Sequence, residues 1–246
     1  MSSAVEAYFS ALESLIDELR GESASIDAAA TMIADTIASD GLIHVFGSGH
    51  SHMMAEEVFH RAGGLWAFNA MLDINLTAFG SLRPGAVERT EGYAKVISSS
   101  FGVRSGEVVI IVSNSGINAV PIELAIEAKA MGAKTIAVTS ASAYANAASR
   151  HSSGKKLSDV VDLTIDSRVP NGDAVLELPG MDAKIGATST ALGAALMNAI
   201  VVAASEKLLE RGVQPPAIVS MNIPGGDERN KELEAKYGPR LRMLKG

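Results

Sequence analysis

Two short turns rich in glycine, serine and asparagine carry residue types that can bind an anion. The first is Gly47-Ser48-Gly49-His50-Ser51, directly after the apolar run Leu42–Phe46. The second is Ser113-Asn114-Ser115-Gly116-Ile117-Asn118, directly after the strand-like run Glu107–Val112. Each turn is expected to lead into a helix, so backbone N–H groups and hydroxyls would point at one place. Together they suit a phosphate monoester, because they supply many donors without burying a lysine.

Either turn alone is open to a simpler interpretation. Gly47 and Gly49 could merely form a tight strand-to-helix turn, and the first turn lacks both the third glycine of the dinucleotide fingerprint and the lysine of the P-loop. That short glycine signature disfavours a dinucleotide-dependent oxidoreductase. The recurrence of the same device after another strand favours a shared binding site.

The composition excludes several classes of function. A formal net charge of −7 argues against a general binder of nucleic acid or anionic membranes, since both need a basic face. There are no cysteines, which excludes disulfides, thiolate catalysis and cysteine-based zinc sites. The N-terminal stretch has acidic residues within its apolar pattern, unlike a signal peptide, and the apolar stretch Ala187–Ala204 is predicted to be a buried helix rather than a membrane span. The expected location is the cytoplasm.

Strand and helix patterns alternate along the chain. Strands are predicted at Leu42–Phe46, Glu107–Val112, Lys134–Thr139, Val160–Ile165 and, at an edge, Ala174–Leu178, with an ambiguous segment at Trp66–Ile74. Helices are predicted at about Ala4–Leu19, Ser25–Ser39, His52–Ala62, Glu88–Ser100, Asn118–Met131, Ala187–Arg211 and Glu228–Met243.

This alternation predicts an α/β fold, a three-layer αβα sandwich with a mostly parallel five-stranded sheet and a helical N-terminus. No linker or low-complexity stretch divides the chain, so we expect a single domain over 1–246. Its parts would be N-terminal helices at about 3–39, an α/β core at about 42–211 and a C-terminal tail and helix at about 215–246. In such folds ligands lie at the carboxyl ends of strands, where both turns fall.

The two turns resemble the phosphate-binding loops of the sugar isomerase (SIS) family, which have the forms G-x-G-x-S and S-x-S-G-x-(S/T/N). The matching positions are Gly47, Gly49, Ser51, Ser113, Ser115, Gly116 and Asn118. The likeness extends over about residues 26–211, and the phrases EEVFHRAGG, VSNSGIN, RHSSGKKL and NGDA look like the UPF0309 branch of that family.

The resemblance implies a small-molecule phosphosugar as the ligand, with no cofactor. Phosphate would be held by Ser51, Ser113, Ser115 and Asn118, and Ser48 would lie near the sugar. His50 and Asn114 would complete the two loops. SIS proteins usually form dimers or tetramers and often borrow site residues from a neighbouring subunit, so we expect a homodimer or homotetramer.

The resemblance to an isomerase is incomplete at the catalytic positions. Aldose–ketose isomerisation needs a base that moves a proton between adjacent carbons, and often an acid that opens the ring. In phosphoheptose isomerases a glutamate lies ten residues past the first-loop serine, and here that position is Arg61. A zinc-binding histidine of those enzymes falls at Glu57. The family mechanism therefore does not transfer intact.

Other side chains near the loops could exchange protons or bind the substrate. Glu56 and Glu57 follow the first loop by one to two turns, although each could instead form a surface pair, with His60 and Arg61 respectively. His151 lies in a polar loop, and imidazole exchanges protons near neutral pH.

Lys155 could bind a phosphate or sugar oxygen, or be an ordinary solvated lysine. Asp173 could bind sugar hydroxyls or cap its own turn.

A metal site is not expected. His52, Glu56 and His60 would share a helix face, but histidines eight residues apart are too distant to chelate one ion from the same helix. His44 alternates along a strand and is expected to be a hydrogen-bonded core residue.

The leading hypothesis is a protein that binds and isomerises a phosphorylated sugar, with Glu57, His151 and Glu56 as candidate acid–base groups. The alternatives are a non-catalytic phosphosugar sensor and a sugar-phosphate lyase or etherase.

Overall fold

The computed structural model describes residues 3–79 and 84–244. The helices are α1 Ser3–Arg20, α2 Ser23–Ala38, α3 Met53–Val58, α4 Pro84–Val87, α5 Tyr93–Phe101, α6 Ala119–Ala130, α7 Ser189–Glu210 and α8 Gly226–Tyr237. The strands are β1 Ile43–Gly47, β2 Phe68–Met71, β3 Val108–Val112, β4 Lys134–Thr139, β5 Leu163–Asp166, β6 Ala174–Leu176 and β7 Ile185–Ala187. Short 3₁₀ turns occur at Gly49–His52, Ile74–Leu76, Leu157–Asp159, Gly238–Arg240 and Arg242–Leu244.

The described residues contain one parallel sheet in the order β2-β1-β3-β4-β5. β1 and β3 are adjacent central strands, and Gly47 at the end of β1 is in register with Val112 at the end of β3. Every residue of both strands is buried, which explains why they appear as continuous apolar runs rather than alternating patterns. The strand order therefore places the two anion-type turns side by side at the carboxyl edge.

Helices cover both faces of this sheet. On one face Val45, Val108 and Ile110 pack with apolar residues of α2, α3 and α7. On the other face Phe46 and Ile111 pack with residues of α5 and α6. The predicted three-layer αβα sandwich with a helical N-terminus is confirmed.

One strand of the prediction is wrong. The predicted edge strand Ala174–Leu178 is not part of the main sheet, since Ala174–Leu176 pairs antiparallel with Ile185–Ala187 in a separate two-stranded ribbon. The fifth strand of the sheet is Phe68–Met71, inside the segment whose pattern is ambiguous. The physical reason is burial, because Phe68–Met71 is fully buried whereas Ala174–Leu176 is only half-buried.

Three predicted helices are shorter than expected, and the last of them, predicted at Glu228–Met243, is α8 and ends at Tyr237. The helix after the first turn begins with the 3₁₀ turn and ends at Val58 rather than Ala62, because Phe59 is extended and His60 has φ +45°. The predicted helix Glu88–Ser100 becomes α5 alone, which starts after Gly92 at φ +85°. Glu88 is therefore in a non-helical segment.

The apolar helix α7 is the one described helix that is long and apolar enough to cross a membrane by length and composition. Its inward residues Leu196, Met197 and Ile200 are fully buried in the core that α7 shares with α2 and α3. This packing agrees with the predicted core helix.

A network of hydrogen bonds links the amino ends of the central strands. His44 of β1 is fully buried, its Nε2 lies 2.9 Å from Glu107 Oε2 and its Nδ1 lies 3.0 Å from Asn69 Nδ2. Glu107 also accepts hydrogen bonds from Leu42 N (2.9 Å) and from the Arg240 guanidinium. His44 is thus the satisfied core histidine that the sequence predicts.

Candidate functional site

The first turn is shaped by a close backbone approach. A Cβ on Gly47 would lie 2.1 Å from the backbone oxygen of Ser51, so no side chain fits at that position. Gly49 adopts φ +55° and begins the 3₁₀ turn, whose Ser51 N–H donates to Ser48 O at 3.1 Å. The chain therefore folds tightly back at the end of β1, with α3 following the 3₁₀ turn.

The second turn is fixed by hydrogen bonds to the neighbouring strand. Ser113 N donates to Val138 O at 3.0 Å, and Asn114 O accepts from Ser140 N at 2.9 Å. Gly116 has φ +61°, and a Cβ there would lie 2.8 Å from Thr139 Oγ1. Both the left-handed backbone and the lack of space require glycine.

The two turns face a common cleft of about 390 Å³. Its lining comprises Ser48, His50, Ser51, Glu88, Ser113, Asn114, Ser115, Asn118, Tyr144, Asp173, Ala187, Ser189 and Thr190. Hydroxyls and amides dominate this surface, and none of the described lining residues is a lysine or arginine. The structure therefore brings together the predicted loop residues at the carboxyl edge of β1 and β3.

Asn118 occupies the N-cap position of α6 without capping it. Its backbone has ψ +156°, but its side chain makes no cap hydrogen bond to the helix. Instead Asn118 Nδ2 donates to Glu88 Oε2 at 2.7 Å, and Asn118 Oδ1 accepts from Arg150 Nη1 at 3.1 Å. No side chain caps α6, but Val120 N donates to the backbone oxygen of Glu88 and Pro121 has no N–H, so Ala119 N–H is the one remaining donor of its first three residues.

Glu88 joins the two turns and is the functional candidate that the sequence analysis missed. Ser48 Oγ donates to Glu88 Oε1 at 2.5 Å, while Asn118 donates to Oε2. The backbone oxygen of Glu88 also accepts from Val120 N at 3.0 Å. The sequence holds one usable signal, Gly92, which interrupts the helical pattern and leaves Glu88 free to face a site. This carboxylate lies where a proton could be taken from or given to a ligand between the loops.

Asp173 positions the start of α7 at the cleft. Its Oδ1 accepts from Thr188 N (2.9 Å) and Ser189 N (2.7 Å), and its Oδ2 accepts from Ser189 Oγ (2.6 Å). Asp173 itself has φ +64°. Its carboxylate thus caps a neighbouring helix rather than the turn that contains it.

Glu57 and Glu56 lie outside the residues that line the cleft. Glu57 forms an ion pair with Arg61 and also accepts from Asn198 Nδ2 at 2.7 Å. Glu56 lies 3.2 Å from His52 Nε2. The predicted shared face of His52, Glu56 and His60 does not exist, because His60 follows the end of α3. The catalytic roles of Glu56 and Glu57 remain predictions.

His151 and Lys155 also lie outside that lining. Nε2 of His151 is 3.5 Å from Glu123 Oε1 of α6, and Nδ1 is 2.7 Å from Ser153 Oγ. Glu91 lies near His151 and Glu123. Its pKa is lowered mainly by a hydrogen bond from the Ser152 backbone N–H and further by one from the Ser152 hydroxyl. Lys155 is exposed. The predicted roles of His151 and Lys155 remain predictions.

Comparison with known proteins agrees with this geometry. The family model described as "SIS domain" matches residues 7–140, more than half of the chain. The chain belongs to the SIS domain family. A UPF0309 protein of Listeria innocua is 40% identical over 234 residues, covering 95% of this chain and 94% of that protein. A UPF0309 protein of Caldanaerobacter subterraneus is 44% identical, covering 89% and 91%.

Solved structures share the fold of this SIS domain protein. A phosphoheptose isomerase from Francisella tularensis matches with a TM-score of 0.52 at 16% identity, covering 84% of this chain and 100% of that one. One from Neisseria gonorrhoeae matches with a TM-score of 0.51 at 18% identity, covering 82% and 97%. At this identity the likeness concerns the fold, and the resemblance in sequence to the UPF0309 branch is confirmed by the relatives above.

Proposed function

We propose that this SIS domain protein binds a phosphorylated sugar in the cleft between its two glycine-serine turns. The observation that carries this proposal is the convergence of Ser51, Ser113 and Ser115 from the two turns on one cleft. Hydroxyls and the backbone amides of such turns can hold a phosphate dianion without a basic side chain. The polar lining and the volume of about 390 Å³ suit one monosaccharide unit.

The proposed chemistry is aldose–ketose isomerisation with Glu88 as the acid–base group. The reaction moves a proton from one carbon to the next, which a single carboxylate beside both carbons can carry, while a hydroxyl proton passes between the two neighbouring oxygens by way of water. Glu88 is held between the loops by Ser48 and Asn118, whereas Glu57 is paired with Arg61 away from the lining. The geometry thus supports Glu88 over the glutamates predicted from sequence, and its contact with Ser48 supports a position beside the sugar end of the ligand.

A non-catalytic phosphosugar sensor is the second candidate. The position at which phosphoheptose isomerases keep a glutamate is Arg61 here, and its ion pair with Glu57 occupies both side chains. A protein that lost that base could retain the phosphate loops for sensing.

Screening by thermal shift against hexose, heptose and amino-sugar phosphates, with product analysis of every hit, separates the two functions. For an isomerase, a hit is converted and Glu88→Gln lowers turnover at least about 100-fold while calorimetric affinity changes little. For a sensor, a hit raises the melting temperature and is never converted. Turnover that is equal in wild type and Glu88→Gln would exclude Glu88 as the acid–base group, and no hit in the whole panel would contradict phosphosugar binding.

We also propose that the protein forms a homodimer or homotetramer and acts in the cytoplasm. Exposed apolar side chains on α1 and α7, including Phe9, Val202 and Leu209, support an association surface there. Sedimentation equilibrium of the full chain tests the assembly, and a monomer at all concentrations would contradict it.

A further inference from the structure

Four side chains form a chain of hydrogen bonds that runs from the loop after β4 into the cleft. Arg150 Nη1 donates to Asn118 Oδ1 at 3.1 Å, and Asn118 Nδ2 donates to Glu88 Oε2 at 2.7 Å. Ser48 Oγ donates to the other oxygen of the same carboxylate at 2.5 Å. Ser48, Glu88 and Asn118 line the cleft, whereas Arg150 does not. Arg150 therefore lies one hydrogen bond behind the cleft.

The chemistry of its two neighbours fixes the orientation of the Asn118 amide. A guanidinium can only donate hydrogen bonds and a carboxylate can only accept them, whereas a carboxamide does one at each end. Turning the amide by 180° would set its oxygen against Glu88 and its NH₂ group against Arg150, which are two repulsive contacts. Asn118 is buried and makes no cap hydrogen bond to α6. Arg150 and Glu88 thus select which end of the amide faces the cleft carboxylate.

The loop that carries Arg150 is anchored by its backbone rather than by the guanidinium. Arg150 N donates to Ile117 O at 2.8 Å, and Leu157 N donates to Gly116 O at 2.8 Å. Arg150 is exposed, and within residues 3–79 and 84–244 its side chain makes no hydrogen bond or ion pair besides the one to Asn118. The side chain therefore has a role that is separable from the folding of the loop.

We propose that Arg150 is a positioning residue, which orients the Asn118 amide so that both carboxylate oxygens of Glu88 face hydrogen-bond donors. Because the hydroxyl proton of Ser48 is directed to Glu88, Ser48 Oγ presents lone pairs to a hydroxyl of the ligand. Without the guanidinium the amide of Asn118 is free to turn, and its oxygen would then repel the carboxylate from its place. The effect on turnover rests on the proposed function, whereas the orientation of Asn118 does not.

A double-mutant cycle in the full-length protein tests whether Arg150 acts through Asn118. Turnover of the converted sugar phosphate is measured in wild type, Arg150→Ala, Asn118→Ala and the double variant. Arg150→Lys keeps a donor at the same position and tests rescue. The matched control is Arg229→Ala, an exposed arginine of α8. Circular dichroism with a melting curve confirms that each variant folds, and Arg150→Met, which keeps the aliphatic stem, replaces Arg150→Ala if that variant does not.

We expect Arg150→Ala to lower kcat about tenfold with KM within about twofold, because the reacting group loses its orientation while the ligand contacts remain. The double variant should match Asn118→Ala alone, since no amide is left to orient. Arg150→Lys should stay within about threefold of wild type, and Arg229→Ala should equal it. Wild-type turnover in Arg150→Ala, or losses that multiply in the double variant, would overturn the proposal.

The side-chain amide resonance of Asn118 gives a second test that needs no turnover. In ¹⁵N-labelled protein this signal is the one that disappears in Asn118→Ala. We expect it to move in Arg150→Ala and in Glu88→Gln, and to stay near its wild-type position in Arg150→Lys and Arg229→Ala. A signal that Arg150→Ala leaves in place would overturn the proposal even if a sugar phosphate is converted. A signal that moves while no sugar phosphate is converted would support the positioning role and contradict the proposed isomerisation.

Discussion

From the buried carboxylate of Glu107 we predict how the stability of the protein depends on pH. Burial alone would raise its pKa, but hydrogen bonds from His44, Arg240 and the backbone N–H groups of Leu42 and Arg104 outweigh it and lower the pKa to about 2 from 4.5. A pKa lowered in the folded state stabilises the protein above the unfolded value and loses that contribution as the pH falls towards 2. The lowered pKa of Glu107 contributes about 3 kcal/mol to the free energy of unfolding at pH 7 and about half of that at pH 3.

Glu107→Gln removes this charge while keeping the shape of the side chain. We expect the free energy of unfolding to fall by about 3 kcal/mol at pH 7, since the Arg240 guanidinium loses its carboxylate partner. The difference between wild type and variant should shrink to roughly half at pH 3. Urea titrations followed by circular dichroism at both pH values measure it.

The matched control for this test is Glu13→Gln, an exposed glutamate on α1, which should change stability by less than about 0.5 kcal/mol. A Glu107→Gln difference that stays the same from pH 7 to pH 3, or that is under about 1 kcal/mol at pH 7, would refute the assigned role of the charge. Because Glu107 is at the amino end of the sheet, folded Glu107→Gln should still bind ligand in the cleft.

Further substitutions test how the cleft is built. Gly47→Ala would force a Cβ to within 2.1 Å of the Ser51 backbone oxygen, so we expect loss of stability and of ligand binding together, measured by melting and calorimetry; wild-type behaviour would show that the turn can relax. Gly193→Ala would place a Cβ 2.5 Å from Met54 Sδ between α7 and α3, and we expect a loss of about 1–3 kcal/mol in urea titrations, with no loss if the flexible Met54 moves aside. Asp173→Ala removes the acceptor at the start of α7, with an expected cost of about 1 kcal/mol and weaker ligand affinity; unchanged values in both would contradict its capping role.

The sequence predicts the parts of the fold that depend on local patterns. Lys134–Thr139 is a strand with the predicted bounds, because a β-branched run ends at a polar turn. Both glycine-serine turns lie at adjacent strand ends as expected. Their glycines are predictable because close contacts and a left-handed backbone require glycine there. The resemblance to the SIS family and its UPF0309 branch rests on those same residues and is confirmed.

Elements that depend on distant contacts are harder to predict. Phe68–Met71 is a strand only because it pairs with β1, and its four residues are too few to establish a period. Glu88 meets Ser48 and Asn118, residues 40 and 30 positions away, and the local signal at Gly92 indicates only that Glu88 is outside a helix, not which residues it contacts. His151 likewise meets Glu123 and Glu91 through the fold, since 28 to 60 positions of sequence separate them.

Calorimetric titration with the sugar phosphate that gives the largest thermal shift tests the central claim most directly. Ser113→Ala/Ser115→Ala should bind at least about 100-fold more weakly than wild type, because two hydrogen bonds to a charged group are lost. The matched double variant Ser99→Ala/Ser100→Ala, on the distant helix α5, should bind like wild type. Equal affinity in all three folded proteins would contradict a phosphate site between the two turns.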